Sequence, residues 1–103
     1  MGTASFDLNT GGAFNKNAHG ALVTSGEHTT STTASNLTDG AAGVGTAVEA
    51  EVGWILHVQC DEPARVVVGG GTATATYGYD LSADVSRDIE ISHPGTISII
   101  DKA

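Results

Sequence analysis

Cysteine occurs once in this sequence, proline twice, tryptophan once, and lysine and arginine together only four times. A lone Cys60 cannot close an internal disulfide, so no cysteine framework of the secreted type holds the fold, and intracellular assembly is expected. Four cations against twelve acids leave a net charge of −8. Nucleic acids are bound largely by Lys and Arg side chains that displace counterions from phosphates, so neither DNA nor RNA is an expected partner. No apolar run approaches the ~18 residues that cross a bilayer. The first residues carry neither a basic segment nor the apolar stretch of a signal peptide, so membrane insertion and ordinary export are not expected.

Recognisable chemistry is also scarce. His57 and Cys60 stand three apart beside Asp61, but a strand places them on opposite faces and a metal site needs three or four ligands. No Gly-x-Ser-x-Gly elbow supplies a nucleophile, and Gly69-Gly70-Gly71-Thr72 lacks the lysine of a phosphate loop. Asp80, Asp84 and Asp88 recur at every fourth residue without the spacing or terminal glutamate of a calcium loop. No catalytic residue, metal or cofactor is assigned, and the chain is read as non-enzymatic. The aromatic residues leave one ligand-binding option. Tyr77 and Tyr79 would both fall on one side of an alternating segment, as a stacking platform for carbohydrate, whereas Trp54 in an apolar strand reads as core.

What is present is strand periodicity. Val48, Ala50 and Val52 alternate with Glu49 and Glu51, the pattern of a half-buried strand, and Gly53 ends it. Trp54, Leu56, Val58 and Cys60 then share one face. Asp61-Glu62-Pro63 is a turn, because Pro63 fixes one backbone angle and offers no amide to a ladder. It is expected to close a hairpin onto Arg65-Val66-Val67-Val68, a run apolar on both faces that suits a central strand. Thr72 to Tyr77 alternates Thr with Ala or Tyr as an outer strand would, Asp88 to Ser92 alternates again, and Thr96 to Asp101 forms the last strand after His93-Pro94-Gly95. With no convincing helix, the fold class is all-β: a small antiparallel β-sandwich or jelly-roll-like barrel over residues 35–103.

Residues 1–34 read differently. Their glycines and the Ser/Thr run from Thr29 to Thr33 raise the entropy cost of ordering, and no period links the few apolar residues. An extended N-terminal arm is expected, able to span at most about 110–120 Å. Phe6, Leu8, Phe14 and Leu22 are its candidate partner contacts. Removing residues 1–34 is expected to leave the sandwich folded.

From Ser35 onward the order of motifs resembles small β-domain structural proteins of tailed-bacteriophage virions. The residues carrying the likeness are Asn36-Leu37-Thr38-Asp39-Gly40, then Val58-Gln59-Cys60-Asp61-Glu62-Pro63 and Arg65-Val66-Val67-Val68-Gly69. Thr72-Ala73-Thr74-Ala75 and Ile89 to Ile100 around Pro94-Gly95 complete it. The resemblance implies a capsid decoration, or cement, protein on the outer surface of the head, assembled in the host cytoplasm. Its implied partners are the major capsid protein and copies of itself, a trimer suiting local threefold positions. A host-surface or carbohydrate-binding module, or a head–tail or tail component, are the alternatives.

Overall fold

The computed structural model describes residues 2–11, 19–40 and 45–102. Ten strands are formed: β1 (Thr3–Gly11), β2 (His19–Thr29), β3 (Ser35–Asn36), β4 (Glu49–Ala50), β5 (Ile55–Cys60), β6 (Ala64–Val67), β7 (Tyr79–Leu81), β8 (Arg87–Glu90), β9 (Gly95–Thr96) and β10 (Ser98–Asp101). They build two four-stranded sheets, ordered β2-β1-β5-β8 and β3-β10-β6-β7, with β4 and β9 as a separate pair. Every strand pairing within them is antiparallel. The fold is a small all-β sandwich, as the alternation predicts.

One core joins the two sheets. Ala4, Phe6 and Leu8 of β1, with Leu56, Val58 and Cys60 of β5, pack in the same cluster as Ala64 and Val66 of β6, Leu81 of β7 and Ile99 of β10. Trp54 is half-buried and packs against this cluster. Each fully buried Leu or Ile contributes about 1.5–3 kcal/mol relative to exposure. The apolar run of β6 is used on both faces: Val66 faces the main core, and Val67 packs with Ala73 and Ile100 in a second cluster on the outer side.

The described part of residues 1–34 does not form an extended arm. β1 lies between β2 and β5, pairing along Ala4–Asn9 with Cys60–Ile55, and Phe6 and Leu8 are 5% and 0% exposed. The physical reason is a period that lies in only part of the segment. Ala4, Phe6 and Leu8 alternate with Ser5, Asp7 and Asn9, and a sheet with an inner and an outer face accepts that pattern directly. The anchors at Phe6 and Leu8 are therefore filled by the chain's own core.

The Asp61-Glu62-Pro63 turn also differs from the hairpin expected of it. It passes the chain from β5 in one sheet to β6 in the other, so it is a corner between sheets. Thr3 N donates to Asp61 Oδ1 at 2.8 Å, and Lys102 N donates to the Pro63 carbonyl at 2.9 Å, which ties both chain ends to this corner. Thr72 to Tyr77 is not a strand. It is a loop closed by the Thr74–Tyr77 bridge, with Ala73 buried and Ala73 N donating to Ser98 Oγ at 3.0 Å.

Candidate functional site

Two surfaces gather chemically useful side chains. The first is the outer face of the β2-β1-β5-β8 sheet. Its register sets Ser25, Asp7, His57 and Asp88 in one row across four strands, with Glu27, Ser5 and Gln59 in the next. Several of these residues line an open cleft of about 460 Å³. His57 Nδ1 lies 2.5 Å from Asp88 Oδ1, an exposed pair that fixes the ring. A serine, a histidine and an aspartate on one face invite comparison with a hydrolytic triad, but the row separates them. Ser25 stands two strands from His57, roughly 9–10 Å at ordinary strand spacing, far beyond the ~3 Å that nucleophile activation needs. Among the described residues no three His, Cys, Asp or Glu side chains converge on a metal position. This row was invisible in the sequence because cross-strand neighbours depend on register.

The second surface carries Tyr77 and Tyr79, which are 63% and 42% exposed. They line a groove of about 520 Å³ whose remaining lining includes Val66–Val68, Ser92 and His93. Arg65 holds the tyrosine loop to β6: its Nε donates to the Ala75 carbonyl at 2.9 Å and its Nη1 to the Gly78 carbonyl at 3.2 Å. Gly78, at φ 137°, lies so close to β6 that a Cβ there would stand 3.0 Å from the Val66 carbonyl oxygen. The Arg87 guanidinium sits 5.0 Å from the centre of the Tyr79 ring, a cation–π contact.

The remaining sequence candidates fall apart in space. Leu22 is 62% exposed near the far end of the β1–β2 hairpin, and Phe14 lies outside the described residues. Cys60 is fully buried, its thiol pushed up chiefly by burial, while His57 points to the opposite face of β5. The acidic series also disperses. Asp80 pairs with Lys102, which holds its carboxyl below the usual range, Asp88 meets His57, and Asp84 occupies a left-handed turn at φ 62°. No helix among the described residues is long and apolar enough to cross a membrane.

Comparison with known proteins returns no match: no family model, no curated protein and no solved structure is similar to this chain.

Proposed function

We propose that this chain is a non-enzymatic capsid decoration protein, which binds the outer surface of a phage head and stabilises the assembled shell through its β1–β2 hairpin. The observation that carries this reading is the apolar end of that hairpin. Pairing with β5 stops at Asn9, yet β1 and β2 continue to the Gly11–His19 pair. The register steps from Leu8↔Thr24 to Asn9↔Leu22, which makes Val23 the extra residue of a bulge. Leu22 and Val23 are 62% and 43% exposed there, two adjacent apolar side chains suited to insertion between neighbouring subunits.

The virion assignment itself rests on the motif order from Ser35 onward. The acidic surface agrees with a position outside the packaged DNA, whose phosphates it would repel. Because the hairpin would bind joints that exist only in the assembled shell, occupancy would shift the assembly equilibrium toward intact particles by mass action.

The test is binding to purified capsids that lack the protein. The native chain is expected to occupy particles on the order of hundreds of copies, as a symmetric surface lattice requires. Leu22→Asp combined with Val23→Asp is expected to lower occupancy at least about tenfold, a difference of ~1.4 kcal/mol, with thermal unfolding unchanged. Undiminished occupancy by the double variant would rule out the hairpin as the attachment element. A dozen copies or fewer would point to a connector.

A further inference from the structure

The groove beside Tyr77 and Tyr79 is a built feature with no role in capsid attachment as proposed above, and it lies on the other sheet. Its two walls are fixed by backbone contacts. On one side Arg65 clamps the carbonyls of Ala75 and Gly78, and Gly78 rests directly on β6. On the other, two turns interlock. Gly70 N donates to the Thr96 carbonyl at 3.0 Å, a Cβ on Gly95 would stand 2.8 Å from Gly70 N, and one on Gly69 would meet His93 Cβ at 3.0 Å. His93 is thereby held in the groove lining, and its Nδ1 lies 3.3 Å from Ser92 Oγ. A cleft held this way is preorganised, so a ligand would lose little affinity to ordering the protein.

The groove combines three kinds of surface. Two exposed phenol rings supply aromatic surface, the Val66–Val68 segment runs along it with the Val66 and Val67 side chains buried, and Thr76, Ser92 and His93 contribute hydroxyl and imidazole groups. Its volume of about 520 Å³ falls within the ~300–1,000 Å³ typical of small-molecule sites. We propose that this groove binds a neutral pyranose unit of an oligosaccharide. A pyranose has a face of C–H groups that the negative face of an aromatic ring attracts. Its hydroxyls can then exchange hydrogen bonds with Thr76, Ser92 and His93.

Charge selects a neutral sugar. The arginines beside the groove are already engaged: Arg65 by the two loop carbonyls, and Arg87 by the Tyr79 ring and the Asp80 carbonyl at 3.0 Å. A sulfated or uronic-acid sugar would meet no lysine or arginine in the groove lining, and the chain's net charge of −8 would repel it. A nucleotide stacks on tyrosine equally well but carries phosphate, which fails for the same reason. A proline-rich peptide also uses aromatic grooves. Here Thr76, Ser92 and His93 line the groove along with the two aromatics, which suits hydroxyls better than a second proline ring.

The experiment is amide chemical-shift titration of the full chain with maltohexaose, cellohexaose and chitohexaose, with heparin and decaproline as comparisons. At least one neutral oligosaccharide is expected to give saturable shifts confined to residues 66–68, 76–79 and 92–93. Tyr77→Ala should weaken that binding by about tenfold, while Tyr77→Phe, which keeps the ring, should leave it within about twofold. Because Tyr77 is exposed, its replacement should not alter amide positions outside the groove, and the same spectra check this. Absence of saturable shifts with all three oligosaccharides, shifts elsewhere on the sandwich, or equal affinity of Tyr77→Ala would overturn the proposal. Binding of heparin or decaproline in preference to all three would also overturn it. None of these outcomes depends on whether the hairpin binds capsids.

Discussion

His28 has both ring nitrogens beside hydroxyl groups, Nδ1 at 3.2 Å from Thr38 Oγ1 and Nε2 at 2.8 Å from Ser35 Oγ. It is only 8% exposed, and burial holds its pKa below the ordinary value of 6.5. Hydroxyls can donate or accept, so the neutral ring is satisfied in either tautomer, and the cost of charging it is mainly desolvation. With the folded value lowered, the unfolded chain binds the proton more readily. The stability tied to neutral His28 is therefore complete above pH 6.5 and declines as pH falls from there through the lower folded value. The steepest slope one such group can give is ~1.4 kcal/mol per pH unit. Urea unfolding of the native chain and of His28→Gln at pH 7.5 and pH 5.5 measures it. The native chain should lose more stability between the two than the variant does, and an equal loss would show that His28 is not the titrating group.

At the level of the strand, much was legible and the failures have definite causes. The alternation of Leu56, Val58 and Cys60 located β5, and the two-faced apolar run located β6 as an interior strand. Partner choice was not legible: β5 and β6 adjoin in sequence yet belong to different sheets, because Pro63 and the Asp61 bond to Thr3 N turn the chain across the core. Thr72–Tyr77 alternates like a strand but is held as a loop by Arg65 and Ser98, contacts that only the tertiary fold creates. In the first 34 residues, glycine and serine content outweighed a short alternation at Ala4, Phe6 and Leu8. The aromatic groove was half visible, through Tyr77 and Tyr79, while Ser92 and His93 arrived by way of the Gly69–Gly70 turn. Placing β1 between β2 and β5 makes a firm prediction. Deleting residues 1–34 removes two strands and the side chains of Phe6 and Leu8, and truncation of even one such core residue costs about 2–5 kcal/mol against a usual total of ~5–15 kcal/mol. The shortened chain is expected to lack near-ultraviolet circular dichroism and cooperative unfolding. A folded product would show that β1 is dispensable.

Across the whole molecule, the two sheets share one core, and the buried polar groups reinforce that union. Thr30 Oγ1 donates to Asp101 Oδ1 at 2.5 Å and accepts from Gly2 N at 3.1 Å, which joins the N-terminus, the end of β2 and the last strand. A molecule connected this way has no obvious seam along which one part could melt first, so two-state unfolding is expected. Trp54 offers a single fluorescent reporter against the core, and far-ultraviolet circular dichroism reports all the strands. In urea the two transitions should coincide, with a slope of about 1–3 kcal/mol per molar. Hydrogen exchange sharpens the test, because amides that open only with global unfolding report the full stability. The amides of Phe6, Asp7 and Leu8 should be protected as strongly as those of Leu56 and Val58, their neighbours across β1 and β5. Early loss of protection over Phe6–Leu8, with β5 still closed, would mean that the N-terminal segment detaches as a unit. The hairpin would then act as a mobile tether, which would count against the proposed attachment through a fixed apolar edge at Leu22 and Val23.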